Sequence, residues 1–254
     1  MMKIASWNVN SIKVRKDHVL KWLDETQTDI LFMQELKGIE ENFPKSDFED
    51  KGYHVAINAQ KTYNGVAILS KYPITVISDT ILEGDEQARF LDVEINDIRM
   101  INVYCPNGNP VDSEKYPYKL NWSKQLINHL KSLYKDEISF LIGGDFNIIP
   151  TPTDCHNPKT WEGDALFRQE SWDIWRTMKN IGLYDAYRMI NPHETDCYTF
   201  WDYQAGAWQQ NNGIRIDHFL LSPEIADQLK ACHIDRTPRG WEKASDHTPI
   251  VIEI

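Results

Sequence analysis

Four cysteines in 254 residues, with no C-x-x-C pair among them, leave the chain without the spacing of a disulfide framework or a zinc ribbon. Cys105, Cys155, Cys197 and Cys232 therefore read as free thiols of a reducing compartment. Long apolar runs are missing too. Stretches such as residues 138–142, broken by Ser139, fall far short of the roughly 20 residues that a bilayer crossing needs. The opening MMKIASWN has no cationic flank leading into an apolar stretch, so the expectation is a cytoplasmic protein with no membrane partner. Basic charge is in deficit: 27 Lys+Arg against 38 Asp+Glu give a net charge of −11. That balance excludes broad coating of nucleic acid or anionic lipid and leaves room for a local basic face only. No Gly/Ser-rich or Pro-rich linker interrupts the chain, which predicts one domain over residues 1–254.

What the sequence does hold is β-rich runs alternating with helical patterns. Strands are expected over residues 4–9, 29–33, 53–57, 65–70, 89–95, 98–104, 138–142, 216–222 and 249–254. Helices are expected over 12–24, 120–134 and 169–181, with buried stripes of Ile12, Val19, Leu20 and Leu23, then Leu126, Ile127, Leu130 and Tyr134, then Trp172, Trp175 and Met178. Several strands are joined by connections too short for a crossover helix, so they should pair antiparallel. Two sheets packed face to face with helices on both outer faces, an α/β sandwich, accommodate this mixture.

The chemistry sits where apolar strands stop. Asn8 ends the first strand, Glu35 follows ILFMQ, Asp145 and Asn147 follow FLIGG, Asp217 precedes HFLL, and Asp246-His247 precede TPIVIEI. Strand ends gathered on one rim form a cleft, and carboxylates, amides and an imidazole are what metal-assisted phosphoester hydrolysis needs there. Alone, Asn8 reads as a strand terminator and Glu35 as a solvated carboxylate or cap. Gly143-Gly144 suggests a tight turn presenting Asp145 and Asn147 on one side. Asp217 is placed to orient the His247 imidazole. Ser245 lacks a nucleophile-elbow context and reads as a turn residue, and His218 as structural.

In combination, Ser6-Trp7-Asn8-Val9-Asn10, Gln34-Glu35, Val103-Tyr104 with Pro106-Asn107-Gly108, Gly144-Asp145-Phe146-Asn147, Arg215-Ile216-Asp217 and Ser245-Asp246-His247 resemble, in order and over essentially the whole chain, the exonuclease III family of abasic-site DNA endonucleases. The resemblance implies a four-layer α/β sandwich and hydrolysis of a DNA phosphodiester with Mg²⁺, for which Mn²⁺ could substitute. It implies Glu35 as the main metal ligand, with Asn8, Asp246 and Asn10 nearby. Asp145 would position or deprotonate water, Asn147 and His247 would hold the phosphate, Asp217 would orient His247, and Tyr104 would lie near the scissile group. Whether Asp145 or His247 takes the water proton stays open. Asn10 departs from relatives that carry Asp there, which puts a second metal position in doubt.

The resemblance also implies a pocket of Phe200, Trp201, Ile214 and Ile216, with Asn107, for a sugar that has lost its base. Such a lesion has no stacking to break when it leaves the helix. Tyr63 and Arg89, with Lys61 and Asn64, Lys13, Arg15, Lys16, Arg236 and Arg239, are candidate DNA contacts. For Phe200 a core role is a close alternative. The expected partner is duplex DNA containing abasic sites, acted on by a monomer with no obligatory protein partner. Other phosphoesterases of the wider superfamily, such as a nonspecific DNase or a phosphoinositide phosphatase, would share Glu35, Asp145, Asn147, Asp217 and His247 but not the Tyr104 segment. A silent binding module would be expected to have lost part of the polar set.

Overall fold

β-branched and aromatic runs buried on both faces dictate strands without surface alternation, and five of the central strands have every residue buried or nearly so. The computed structural model describes residues 1–254. In chain order the elements are β1 (Lys3–Asn8), α1 (Ile12–Thr26), β2 (Ile30–Gln34), α2 (Lys45–Glu49), β3 (His54–Asn58), β4 (Val66–Ser70), β5 (Thr75–Ser78), β6 (Phe90–Ile95) and β7 (Ile98–Tyr104). Then come α3 (Lys115–Lys135), β8 (Phe140–Asp145), α4 (Gln169–Ile181), β9 (Tyr184–Asp185), α5 (Ala186–Ile190), β10 (Asp217–Leu221), α6 (Pro223–Ala226), β11 (Ala231–Ile234) and β12 (Ile250–Glu253).

They build two six-stranded sheets, ordered β11-β12-β1-β2-β4-β3 and β5-β6-β7-β8-β10-β9. Each sheet has one parallel pair, β1 with β2 and β7 with β8, and these are the pairs joined by α1 and α3. The other pairs are antiparallel; for β3/β4 and β6/β7 the connections are too short for the crossover that parallel strands require. Ile4, Phe32 and Ile68 of the first sheet meet Val93, Leu141 and Phe219 of the second in the central core. α1 covers one outer face through Val19, Trp22 and Leu23, and α3 and α4 cover the other through Trp122, Leu126, Leu130, Trp175 and Met178. The result is the four-layer sandwich expected. A buried polar bridge crosses between the sheets at their centre: Gln34 Nε2 donates to Asn102 Oδ1 at 2.8 Å, and Asn102 Nδ2 to the carbonyls of Met33 and Ala67.

Two expectations need correction. α3 turns Leu133 inward and leaves Tyr134 42% exposed, since Leu126, Leu130 and Leu133 complete the i, i+4, i+7 stripe. Gly143 and Gly144 lie inside β8 instead of forming a turn. A Cβ on Gly143 would stand 2.2 Å from Phe219 Cε1, and one on Gly144 2.0 Å from the Val103 carbonyl oxygen, so both glycines serve close approach. The strand consequently runs on to Asp145 and delivers that carboxylate at the rim. Strands β5, β9 and β11 carry no sequence expectation; all three lie at sheet edges. No helix is long and apolar enough to cross a membrane.

Candidate active site

β1, β2, β7 and β8 end, and β10 begins, at the same rim of the sandwich, so residues far apart in sequence converge there. Asn8 and Asp145 are the last residues of β1 and β8, Tyr104 is the last of β7, and Asp217 the first of β10. Glu35 follows β2 with φ +56°, a left-handed turn that is unusual for a non-glycine residue and aims its side chain back along the rim. Asn147 is left-handed as well, at φ +50°. Asp246 and His247 arrive from the turn before β12, which Ser245 caps by donating to the Asn8 carbonyl at 2.7 Å. Ser245 is thus a turn residue, as its sequence context suggests.

The polar atoms form one connected cluster. His247 Nδ1 lies 2.8 Å from Asp217 Oδ2, and His247 Nε2 lies 3.7 Å from Asp145 Oδ2. Asn8 Nδ2 donates to both Glu35 Oε1 at 2.8 Å and Asp145 Oδ2 at 3.0 Å. The Asn147 backbone amide donates to Asp145 Oδ1 at 2.9 Å, and the Asn147 side chain is fixed between the Cys105 carbonyl and the Asn107 amide. Asp145, Asn147, Asp217 and His247 are all buried. A cavity of about 150 Å³ opens over them, lined by Glu35, Tyr104, Asn107, Asn109, Asp145, Asn147, Asp246 and His247 on its polar side. Trp161, Leu166, Phe200, Ile214 and Ile216 form its apolar side.

Charge is distributed unevenly in this cluster. Burial alone would strip His247 of its proton, but the Asp217 carboxylate, helped by Asp145 and Asp246, holds the imidazole well above its ordinary value, as imidazolium. Burial pushes the Asp145 carboxyl up; His247 pulls it back, while Asp217 and Glu35 push the same way as burial. For Glu35, burial would raise the value, but the Lys37 ammonium at 2.8 Å and the Asn8 amide hold it below the ordinary range. Burial first, then Glu35 and Asp145, keep the Tyr104 phenol protonated, under an Arg89 guanidinium 4.8 Å above its ring. The site therefore holds a fixed imidazolium donor, a buried carboxylate able to take a proton, and a neutral phenol donor.

Glu35, Asp145 and His247 each offer an atom within 4.8 Å of the others. With His247 held as imidazolium, the donors left are carboxylate oxygens of Glu35 and Asp145, with Asp246 across the cavity. That set suits a hard divalent cation. Asn8 and Asn10 do not offer oxygen in the expected way. Asn8 turns its amide nitrogen to the carboxylates while its Oδ1 accepts from the Asn10 backbone. Asn10 donates to Asp246 Oδ1 at 3.0 Å, and its own Oδ1 is taken by the Lys37 ammonium. The Asn10 amide thus becomes a bridge between Asp246 and Lys37.

Of the expected pocket residues, Phe200, Ile214, Ile216 and Asn107 line the cavity, and the Phe200 ring stands 5.0 Å from that of His247. Trp201 does not: it is fully buried, packs edge-on against Trp208 and donates to Asn211. Its backbone amide instead holds the Asp246 carbonyl, so it supports the turn from behind. Tyr63 is 68% exposed, away from the cavity, and Arg89 lines an adjoining depression with Asn107, Asn109 and Lys115. Sequence reasoning missed Lys37, Trp161, Leu166, Asn109 and the buried Lys119. Lys37 had a usable signal, since it lies two residues beyond Glu35; Trp161 and Leu166 sit in an irregular loop with none.

The chain matches the endonuclease/exonuclease/phosphatase family model over residues 5–247. It is 32% identical to an exodeoxyribonuclease III of Haemophilus influenzae, over 99% of each chain. Among solved structures it is similar to an AP endonuclease from Archaeoglobus fulgidus (38% identity, TM-score 0.95, covering 100% of this chain and 99% of that one). It is similar to the same degree to a 3′ phosphatase from Neisseria bound to a product DNA hairpin (35% identity, TM-score 0.95, 100% and 99%).

Proposed function

The chain belongs to the endonuclease/exonuclease/phosphatase family, in the branch that contains exodeoxyribonuclease III and the AP endonucleases, and from that premise we propose that it is a magnesium-dependent DNA-repair phosphodiesterase. Its main reaction is incision of duplex DNA on the 5′ side of an abasic site, leaving a 3′ hydroxyl and a 5′ deoxyribose phosphate. Removal of 3′ blocking groups and nucleotides uses the same site. The observation that carries this reading is the Asp217–His247–Asp145 chain of contacts on the floor of a cavity with one polar and one apolar wall.

Phosphodiester cleavage needs an in-line nucleophile, neutralisation of charge on the non-bridging oxygens and protonation of the departing oxygen. Asp145, fixed by the Asn147 backbone amide and by Asn8, holds water for attack and accepts its proton. His247 cannot be that base while Asp217 keeps it charged; its Nε2–H donates to a phosphate oxygen. The Asn147 side-chain amide spends one N–H on Cys105 and has one left for the phosphate. Tyr104, protonated, supplies a further donor beside the leaving group. Magnesium, held by Glu35 with Asp246 nearby, would neutralise the charge that builds on the phosphate. Phe200, Ile214 and Ile216 give an apolar wall to a sugar without a base, and Tyr63 and Arg89 meet the flanking backbone.

The test is a labelled duplex with one tetrahydrofuran abasic analogue, incubated with Mg²⁺ or EDTA. One metal-dependent cut immediately 5′ to the analogue supports the reading. Release of phosphate only from a 3′-phosphorylated end, with the analogue left intact, would restrict the site to end processing and overturn the main reaction.

A further inference from the structure

Lys119, in the second turn of α3, has no exposed surface and takes part in none of the ion pairs of the structure. Its three N–H donors are matched by three backbone carbonyls: Asn147 at 2.7 Å, Asn107 at 3.1 Å and Ala165 at 3.2 Å. Burying an ammonium with no carboxylate beside it is unfavourable, and carbonyl dipoles are a weak substitute for a counter-ion. Burial lowers its pKa to about 8, so it remains mostly charged at neutral pH.

The three carbonyls belong to two connections: Asn107 to the one after β7, and Asn147 and Ala165 to opposite ends of the one between β8 and α4. Both contribute to the cavity wall, the first through Asn107 and the second through Asn147 and Leu166. Asn147 is left-handed, a backbone state that needs its surroundings to hold it. The Lys119 stem is itself confined: a Cβ on Gly108 would lie 2.7 Å from Lys119 Cδ. The ammonium hydrogen-bonds no group that contacts substrate, and reaches Asp145 through its field alone.

We propose that Lys119 is a positioning residue for phosphoester cleavage, tying the connection that carries Asn107 to both ends of the connection that carries Asn147 and Leu166, and setting a fixed positive charge behind the phosphate-facing wall. The proposal rests on the reading of this cavity as a phosphodiesterase site. Its two consequences separate by chemistry. Loss of the tether misaligns Asn147 in the transition state, and loss of the charge weakens the field felt by the phosphate as negative charge builds; both act on turnover more than on DNA affinity.

The experiment compares wild type, Lys119→Met and Lys119→Arg on the abasic duplex, with folded fraction measured by circular dichroism at the assay temperature. Wild type must cut first; if it does not, the functional reading fails and not this one. With wild type active, Lys119→Met is expected to lose about a hundredfold in kcat, the scale of a misplaced catalytic group, with KM within about threefold. Lys119→Arg, which keeps charge and donors, is expected to recover most of that loss. A merely structural lysine would lower the melting temperature of Lys119→Met while leaving kcat per folded molecule unchanged, and that result overturns the proposal. Should Lys119→Met not fold, Lys119→Gln, which keeps two donors and loses the charge, takes its place: a tenfold or larger fall in kcat at steady KM is expected, and wild-type turnover overturns the proposal.

Discussion

Asp217 and His218 are neighbours on β10, yet they serve two buried polar clusters of opposite character. His218 faces Arg215, whose guanidinium is also held by Asp154 at 2.8 Å and by Asp185 at 3.0 Å, while His218 Nε2 meets the Ile148 carbonyl. One full positive charge answers two carboxylates, Arg188 adds a second to Asp154, and the imidazole stays neutral. Asp217 faces His247 in a cluster that also holds Asp145, Glu35 and Asp246 and is left with excess negative charge. Asp217 Oδ1 has no partner at all. A balanced cluster can only stabilise; an unbalanced one is poised to accept a cation, a proton or a phosphate hydrogen bond.

The largest expected effect separates these roles. Asp145→Asn should lose about a thousandfold or more in kcat, the combined scale of a general base and an electrostatic group, while its melting temperature changes little or rises. Parallel kinetics and thermal denaturation check both halves. Arg215→Met reverses the pattern: it leaves Asp154 and Asp185 buried and unpaired, and should destabilise the fold by about 3–5 kcal/mol in urea titrations. Asp217→Asn falls between them, with kcat reduced by about a hundredfold because a neutral amide no longer holds His247 as imidazolium. Its acid limb should shift, since the charge balance around Asp145 changes.

The last effect is in pH-dependent stability, where the two histidines act with opposite sign. Burial and then Arg215 lower the His218 value to about 3, so below pH 6.5 the unfolded chain takes a proton that the folded one refuses. Stability is lost through that window by up to about 1.4 kcal/mol per pH unit for this group. Asp154, held at about 2 by Arg215 against the pull of burial, adds a further loss as pH falls below about 4. His247, raised, contributes stability that is full below pH 6.5 and fades as pH rises toward its folded value. Urea midpoints of wild type and His218→Gln should diverge as pH falls from 7 to 4, with the variant the flatter of the two.

The sequence made the strand ends and their order legible because hydrophobic runs stop abruptly at Asn8, Glu35 and Asp145. The Asp217–His247 pairing was legible from chemistry, since imidazoles recruit carboxylates. What remained hidden depended on three-dimensional neighbours. Gly143 and Gly144 looked like a turn until Phe219 and Val103 were found against them. Trp201 read as a pocket wall, but the residue directly before it, Phe200, faces the cavity while Trp201 turns into the core. Lys119 carried no signal, because its partners are carbonyls, which every residue has. Asn10 shows the limit of residue-type reasoning: its oxygen is spent on Lys37, a neighbour only in the fold.

The contrast between the clusters reduces to the protonation of two imidazoles, which ¹⁵N NMR of histidine-labelled, metal-free protein reads directly. At pH 7.5 the account predicts His247 protonated on both nitrogens and His218 on one, with His218 still neutral at pH 5. A neutral His247 at pH 7.5, or both rings titrating together near pH 6.5, would contradict it.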